Sequence, residues 1–482
     1  MNVVRKVARN ISFLFAYQAA SRFLGLVLNL VLARELADAG YGRYSLILVI
    51  VMMAAMAADF GTASILVREI SRRREQANSL LAPVLMLRMV TTVIVTGGVF
   101  LAVILGGVER NFALPLMIAA LSIIPASLST AVEAALQAHE RMDLSALADV
   151  VFSVVLTAAG VTVVFLGGGV TAMMIVFLAA SGVRLLYSLA AYRLLQERQR
   201  GGWLFDSADF WYMARESFPV LCWQLVSLAY YKVDVLLLGV FRTEAEVGWY
   251  AAAYKLFEVP IMFGWLAVQA LLPLMSRLHQ TSRDGLLLLF EKTLKYIWIV
   301  GLGVAMLMAV LSRPVAELLL PSEYEPAIRL LVVLGASLPF MVGCVLFGNL
   351  FIAMDVQARM ARWSLASLAV NISLNLVLIR QFGVMGAAIT TLVSEIFSFL
   401  LFYGFTAHFL RHVRMVEVFL APILVAVGAL LLLLVVERYT SPLAGLAGIV
   451  VYPVALYIAG IISRDDLGYF RQLKTGGKTG GI

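Results

Sequence analysis

The sequence predicts an all-α polytopic membrane protein, and three observations support this fold class. First, 62% of the 482 residues are hydrophobic and only 14% are charged, against about 45–50% and about 25% in ordinary soluble domains. Second, the apolar residues form long runs separated by short charged stretches. Third, a short sequence motif in the first half of the chain recurs in the second half. The composition excludes a soluble enzyme of this length.

The apolar runs are long enough to cross a bilayer, since a membrane-spanning helix needs about 20 residues. The fourteen predicted helices are residues 10–33, 43–67, 79–106, 112–137, 145–167, 170–194, 216–240, 247–275, 291–312, 326–353, 363–380, 384–408, 416–436 and 443–463. The first run is longer than a signal-peptide core and carries Arg22 near its middle. We therefore expect a retained first span rather than a cleaved leader.

Lysine and arginine are unevenly distributed between the two sets of connections. With a cytoplasmic N-terminus, 24 of the 37 basic residues lie in inner connections, eight in outer connections and five within spans. Because the cytoplasmic side of membrane proteins carries the excess of Lys and Arg, we expect both termini to be cytoplasmic. The same distribution accounts for the net charge of +8 without a nucleic-acid partner.

One inner connection, residues 195–215, divides the chain near its middle. Gly201 and Gly202 break it, and aromatic residues such as Trp203 and Trp211 alternate with charges, which is typical of a segment lying on a membrane surface. The predicted organisation is an N-lobe at 1–194 (helices one to six), a cytoplasmic interfacial linker at 195–215, a C-lobe at 216–410 (helices seven to twelve), helices thirteen and fourteen at 411–463 and a cytoplasmic tail at 464–482.

An internal repeat supports the two-lobe division. Leu28–Arg34 reads Leu-Asn-Leu-Val-Leu-Ala-Arg, Leu374–Arg380 reads Leu-Asn-Leu-Val-Leu-Ile-Arg, and Gly40 and Gly386 follow the two arginines by the same distance. Weaker similarities relate helices one and two to helices seven and eight. Such repeats predict two parallel six-helix lobes around a central cavity, an architecture of alternating-access transporters.

Eleven ionisable residues fall within the predicted spans. Each costs about 2.5–3.5 kcal/mol at the membrane centre, so these residues must face one another or a wet cavity. The bases are Arg22, Arg88, Arg184, Lys232 and Lys255, and the acids are Asp59, Glu133, Asp149, Asp234, Glu258 and Glu395. For each base, contact with a ligand and an internal ion pair are both open interpretations.

Three of these charged positions have distinctive local settings. Arg22 has no acid within four residues on either side. Glu133 and Asp149 stand near inner helix ends, from which they could reach the membrane surface. Lys255 and Glu258 are three residues apart and could pair along one helix.

Aromatic residues near these charges could stack on sugar rings: Tyr17, Tyr231 and Tyr254. The competing interpretation is an aromatic belt at the membrane interface. Cys222 and Cys344 lie in apolar segments. His408 and His412 are four residues apart, but no Glu or Cys lies nearby to complete a metal site. We therefore expect no metal and no bound cofactor, and we expect the only coupling ion, if one is used, to be Na⁺ or H⁺.

Several stretches resemble the polysaccharide-repeat (O-antigen type) flippases. The stretches that carry the resemblance are Ser21–Gly25, Gly40–Leu46, Asp59–Gly61, Val247–Tyr250 and Gly383–Ala387. The superfamily also contains drug and toxin extruders and the lipid II flippase, in which the Ser-Arg-x-Leu-Gly stretch is similar too.

The resemblance implies a fourteen-helix, two-lobed protein of the bacterial inner membrane. It implies that the protein moves undecaprenyl-pyrophosphate-linked oligosaccharide repeat units from the cytoplasmic to the periplasmic leaflet. A polysaccharide polymerase and chain-length machinery are the possible protein partners that it implies. By the same analogy Arg22 would bind pyrophosphate or acidic sugar, and the other candidates for a cationic cavity are Arg88, Arg184, Lys232 and Lys255.

Two other functions compete with this one. The first is a cation-coupled multidrug extruder of the same superfamily, in which an acid would bind Na⁺ or H⁺; the candidate acids, each of which could instead pair internally, are Asp59, Asp234, Glu258 and Glu395. The second is an integral-membrane glycosyltransferase or polymerase. That enzyme would need an outer catalytic loop, and the longest outer connection spans only residues 313–326.

Overall fold

The computed structural model of the chain describes residues 2–73, 76–196, 206–407, 416–439 and 442–461. These residues are helical and include no β-strand, which confirms the all-α class. The α-helices are α1 (Asn2–Glu35), α2 (Ala37–Asp59), α3 (Thr62–Arg72), α4 (Ala77–Leu105), α5 (Arg110–Leu121), α6 (Ile123–Ala138), α7 (Met142–Phe165), α8 (Val170–Gln196), α9 (Ser207–Phe241), α10 (Glu244–Gln269), α11 (Leu272–Thr281), α12 (Arg283–Leu319), α13 (Glu325–Ala353), α14 (Gln357–Phe382), α15 (Val384–Ala407), α16 (Ala421–Tyr439) and α17 (Gly448–Ile458).

Within these described residues, twelve helical segments are long and apolar enough to cross a membrane. Three of the twelve join two helices each: α2 with α3, α5 with α6, and α10 with α11. Together with α1 and the shorter apolar segment Gly445–Ile458, they correspond one for one to the fourteen predicted helices. The prediction of a polytopic membrane protein with about fourteen spans is therefore confirmed.

The break between α2 and α3 has a local backbone cause. Phe60 and Gly61 have φ values of 54° and 69°, so both lie in the left-handed region and end the first helix. Gly61 has a second constraint, because a Cβ atom there would lie 2.6 Å from the backbone nitrogen of Leu221 on α9. The break places Asp59 and Thr62 side by side within the span.

The chain folds into two compact units, Met1–Ala252 and Ala253–Ile482. In the first unit, a core of residues such as Leu66, Leu81 and Val132 joins α3, α4 and α6. In the second unit, α12 packs along α13, and Met306 and Leu433 join α12 to α16.

The predicted lobes and linker stay a prediction. Of the predicted linker, residues 197–205 lie outside the described residues, and Phe210 and Trp211 belong to the first turns of α9. The predicted tail at 464–482 also lies outside the described residues.

The repeated asparagine makes polar contacts in both hairpins that carry the repeat. Asn29 on α1 accepts a hydrogen bond from the Tyr41 hydroxyl on α2 at 3.0 Å. Asn375 on α14 donates to Asn371 at 3.0 Å, and Asn371 donates to Ser394 on α15 at 3.2 Å. Each hairpin is thus tied by side-chain amides within the apolar spans.

Two glycine motifs from the sequence meet in the first unit, where α2 approaches the first turns of α10. A Cβ atom on Gly42 would lie 1.7 Å from the carbonyl oxygen of Glu244, and one on Gly248 would lie 2.1 Å from that of Asp38. Arg43 pairs with Glu244 through two hydrogen bonds of 2.8 and 2.6 Å. Glycine is required because the two backbones touch.

We therefore expect Gly42→Ala to destabilise the protein by about 1–3 kcal/mol, the usual cost of overpacking. The measurement is the melting temperature of the purified protein in detergent. The matched control is Gly97→Ala on α4, where a Cβ atom meets nothing within 4 Å. That change should keep or raise the melting temperature, since Ala favours a helix over Gly by about 1 kcal/mol. Equal melting temperatures for the two variants would contradict the close approach.

Candidate functional site

A polar cavity of about 720 Å³ lies in the first unit among α1, α6, α7 and α8. Helix α7 packs along both α1 and α8, and α6 packs on α8, so the four helices enclose a common space. The polar side chains that line it are Gln18, Ser21, Arg22, Gln137, Ser145, Asp149, Ser153 and Arg184. Of the predicted ligand-binding bases, the structure brings Arg22 and Arg184 to this cavity.

Arg22 is the exposed cation of the cavity wall. Its side chain lies on α1, and within the described part of the chain its guanidinium has no ion pair or hydrogen bond. The neighbouring Ser21 hydroxyl is buried and also lacks a hydrogen-bond partner among the described residues. A guanidinium and a hydroxyl without partners in the described ranges are available to a ligand.

Arg184 is the second cation, and two carboxylates hold it. Its Nε and Nη2 atoms donate to the two carboxylate oxygens of Glu133 at 2.9 and 2.7 Å. Nη2 also lies 2.7 Å from Oδ1 of Asp149. Ser188 donates to Glu133 at 3.0 Å, and the Arg184 guanidinium stands 5.8 Å from the ring centroid of Phe152.

The position of Glu133 differs from the sequence expectation. Glu133 is only 4% exposed, so it does not reach the membrane surface from the end of its helix. It is buried because a bidentate ion pair and a serine hydroxyl satisfy its charge, which burial would otherwise penalise strongly. The side chain of Asp149, in contrast, is 49% exposed and faces the cavity.

Arg141 and Asp143 form a separate ion pair at the turn between α6 and α7. The Asp143 carboxylate accepts two hydrogen bonds from Arg141, of 3.0 and 2.9 Å. These bonds raise the pKa of the Arg141 guanidinium above its ordinary value. Neither residue lines the polar cavity.

Arg88, a predicted cavity base, forms an internal ion pair in this structure. It is 0% exposed and pairs with Asp59 at the break between α2 and α3. Its guanidinium also donates to the Thr62 hydroxyl at 2.7 Å and to the Thr130 hydroxyl and the Ser127 carbonyl on α6. Of the two interpretations that the sequence left open, the structure favours the ion pair, because a side chain with no exposed surface touches no ligand.

A third group of predicted residues lies on α9. Asp234 is 6% exposed and accepts hydrogen bonds from the Tyr250 hydroxyl and from the backbone N–H of Val235. Lys232 is half-buried, and Tyr231 is exposed, with its ring edge-on to Tyr230. The structure places this group apart from the residues that line the polar cavity.

The remaining candidates occupy the second unit or the edge of the cavity. Lys255 donates to Glu258 at 2.9 Å, as their spacing of three residues allows, and both side chains are about one-third exposed. Tyr254 is buried against Phe257. Glu395 is 3% exposed on α15. Tyr17 is half-buried on α1, directly before the lining residue Gln18.

Sequence reasoning missed most of the uncharged cavity wall. Gln18, Gln137, Ser145 and Ser153 line the cavity, and Gln137 donates to Ser145 at 2.9 Å. Single Gln and Ser residues are common in spans, so nothing in the sequence marked these as neighbours. Among the described residues, no group of His, Cys, Asp or Glu is placed to hold a metal ion. His408 and His412 lie outside those residues.

The cavity can bind an anion and hydroxyl groups together. Guanidinium groups match the geometry of phosphate and carboxylate and form charge-assisted hydrogen bonds to them. Glutamine and serine side chains both donate and accept hydrogen bonds, as sugar hydroxyls require. The charges of Arg22, Arg184, Glu133 and Asp149 sum to zero, and the one charge of these four that has no partner among the described residues is that of Arg22, which is positive.

Comparison with known proteins identifies relatives. The model of a family described as "Polysaccharide biosynthesis protein" matches residues 7–279. The probable low-salt glycan biosynthesis flippase Agl15 of Haloferax volcanii is 23% identical over 384 residues, which cover 78% of each chain. The probable flippase AglR of the same organism is 24% identical over 272 residues, which cover 54% of each chain.

Solved structures show the same fold. The lipid II flippase MurJ, in an inward closed conformation, aligns with a TM-score of 0.76 at 14% identity, covering 94% of this chain and 99% of that chain. An inward-facing multidrug resistance transporter of the MATE family, in the MOP superfamily, aligns with a TM-score of 0.66 at 15% identity, covering 80% and 94%. At these identities the likeness concerns the fold alone.

Proposed function

Because the chain belongs to the polysaccharide biosynthesis protein family, whose model matches residues 7–279, we propose that it is a flippase for a lipid-linked oligosaccharide. It is a multi-pass membrane transporter and not an enzyme. The observation that carries the proposal is the polar cavity within the apolar helices of the first unit, where Arg22, which has no ion pair among the described residues, follows Ser21. The names of two relatives, both described as probable flippases, agree with it.

The proposed mechanism follows from the cost of moving charge through hydrocarbon. A diphosphate-linked sugar cannot cross the bilayer core unaided, because each charge there costs several kcal/mol. In the proposal, Arg22 and Arg184 bind the anionic head group. Gln18, Gln137, Ser145 and Ser153 bind sugar hydroxyls, and the lipid tail stays in the surrounding bilayer. The two predicted lobes then alternate between two states, one that exposes the head group to one side of the membrane and one that exposes it to the opposite side.

The finer parts of the proposal come from the sequence. The bias of Lys and Arg toward one set of connections supports cytoplasmic termini. The resemblance gives the direction of transport, from the cytoplasmic to the periplasmic leaflet. The resemblance gives undecaprenyl pyrophosphate as the lipid, the bacterial inner membrane as the location, and a polymerase with chain-length machinery as partners. The two relatives named above are described only as probable flippases, one of them of low-salt glycan biosynthesis, so the glycan itself is left open.

Coupling to Na⁺ or H⁺ is a separate part of the proposal. Two acids suit a coupling role because they are buried within spans: Asp234 at 6% exposure and Glu395 at 3%. Asp59 and Glu258 are paired with Arg88 and Lys255, so a cation at either would have to displace a base.

The experiment that tests the function is deletion of the gene followed by analysis of the lipid-linked oligosaccharides. We expect a lipid-linked repeat unit to accumulate on the cytoplasmic leaflet, because its synthesis continues while its exit is blocked. The measurement is its accessibility to a glycosidase added outside spheroplasts, before and after the membrane is permeabilised. If the deletion strain kept the same amount of the lipid-linked repeat unit and the same distribution of it between the two leaflets, the result would contradict the proposal.

The second candidate function is a multidrug extruder, and the likeness to the MATE fold is the observation in its favour. The cavity argues against it, since the charge there that has no partner in the described part of the chain is an arginine, which repels cationic drugs. Expression in a drug-susceptible host separates the two functions. We expect unchanged minimal inhibitory concentrations, whereas increased resistance to cationic drugs would favour the extruder.

A further inference from the structure

We propose that Asp149 is a displaceable counter-anion. When no ligand is bound, it occupies Arg184, and the anionic head group of the substrate takes its place on that guanidinium. This inference deepens the proposed function and rests on it for the identity of the head group, a lipid-linked diphosphate. It assigns to Asp149 a role in binding and release that neither the family membership nor the relatives assign.

The first step of the argument is the contrast between the two carboxylates on Arg184. Glu133 is 4% exposed, uses both carboxylate oxygens on the guanidinium, and accepts a third hydrogen bond from Ser188. Asp149 has a side chain that is 49% exposed and makes one contact of 2.7 Å to Nη2. Ion pairs that are half in water are weak, whereas a buried bidentate pair is costly to break. Glu133 is therefore a fixed partner, and Asp149 is one that a ligand can replace.

The second step is the geometry of the guanidinium. A guanidinium group offers two edges on which a carboxylate or phosphate can bind with two hydrogen bonds. Glu133 occupies the edge formed by Nε and Nη2. The Asp149 carboxylate lies 2.7 Å from Nη2, and Nη1 makes no hydrogen bond within the described residues. A phosphate that bound both Nη atoms would use the Nη1 donor, which Asp149 leaves without a partner among the described residues.

The third step is the charge of the cavity. With Asp149 on Arg184, the two arginines and the two acids of the site cancel. A neutral site holds small anions poorly, because a single anion must both lose its hydration and compete with a resident carboxylate. A diphosphate carries enough charge to satisfy Arg22 and Arg184 together. The return of Asp149 to Arg184 would then favour release of the head group after transport.

The test is the affinity of the purified protein for a soluble prenyl diphosphate. Farnesyl diphosphate and inorganic pyrophosphate are titrated into the full-length protein in detergent, with isothermal titration calorimetry as the measurement. We expect Asp149→Asn to bind farnesyl diphosphate about two- to fivefold more tightly than the wild type, the effect of removing a half-exposed ion pair. A gain in affinity cannot result from damage to the fold. Asp149→Glu, which keeps the charge, should bind as the wild type does.

A matched control lies on the same helix. Asp143 has a side chain that is 50% exposed and lies 2.9 Å from its own arginine, Arg141, but neither residue lines the cavity. Asp143→Asn removes the same charge and should leave the affinity unchanged. Arg184→Gln combined with Asp149→Asn should abolish the gain.

Equal or weaker binding by Asp149→Asn would overturn the inference, and so would a gain of the same size in Asp143→Asn. Failure of every variant and of the wild type to bind either diphosphate would overturn it as well. The proposed function fails separately: tighter binding by Asp149→Asn together with normal oligosaccharide distribution in the deletion strain would leave the counter-anion role in place and remove the flippase assignment.

Discussion

Arg22→Ala is expected to lower oligosaccharide translocation at least tenfold, while the protein still inserts in normal amounts. A hydrogen bond to a charged group contributes about 1.5–3 kcal/mol, and each 1.4 kcal/mol corresponds to about a factor of ten in rate or affinity. Among the described residues Arg22 forms no ion pair that the substitution would break, so the fold should be unaffected. The measurement is complementation of the deletion strain, with the amount of lipid-linked repeat unit on each leaflet as the readout.

The conservative and control variants sharpen this prediction. Arg22→Lys keeps the charge but loses the planar guanidinium that can form bidentate hydrogen bonds, so we expect intermediate activity. Arg110→Ala removes an exposed arginine at the start of α5, outside the cavity, and should complement fully. Full activity of Arg22→Ala would remove this residue from the binding site.

Arg88→Met is expected to cause the largest loss of stability, about 3–5 kcal/mol, because it leaves Asp59 as an uncompensated charge inside the membrane. The arginine is 0% exposed and is held by Asp59, Thr62 and Thr130, which join α2, α3 and α6 around it. The measurement is the melting temperature and the yield of the folded protein in detergent.

The double variant Arg88→Met with Asp59→Leu separates a structural role from a role in binding. Replacing both charges of a buried pair by apolar side chains of similar size is often nearly neutral. We therefore expect the double variant to recover most of the melting temperature and to complement the deletion strain. A stable double variant that fails to translocate the oligosaccharide would show that Arg88 or Asp59 acts on the substrate or the coupling ion.

The spans could be predicted because their signal is local. A run of about 20 apolar residues is sufficient evidence for a membrane helix, whatever it packs against. The breaks inside spans were not predictable in the same way. Phe60 and Gly61 interrupt one span by adopting left-handed backbone conformations, yet a Phe-Gly pair in an apolar run is compatible with an unbroken helix.

The pairing of charges could not be predicted because the partners are distant along the chain. Arg184 and Glu133 are separated by 51 residues and meet only because α8 packs against α6. The sequence identified both as charges that need partners, and it marked Arg22 as unusual because no acid lies nearby. The sequence allowed Glu133 to reach the membrane surface, whereas the structure buries it, since local position along a helix does not show which neighbour covers a side chain.

Cross-linking from inside the cavity tests the central claim most directly, namely that the head group of the lipid-linked oligosaccharide binds in the polar cavity of the first unit. In the test variant, a photoreactive phenylalanine analogue replaces Phe152, which lines the cavity beside Arg184. In the control variant, the same analogue replaces Phe165, which is 64% exposed at the far end of α7. After irradiation of cells with a labelled glycan, we expect the label on the Phe152 variant and little on the Phe165 variant. Label on the Phe165 variant with none on an equally abundant, complementing Phe152 variant would contradict the account.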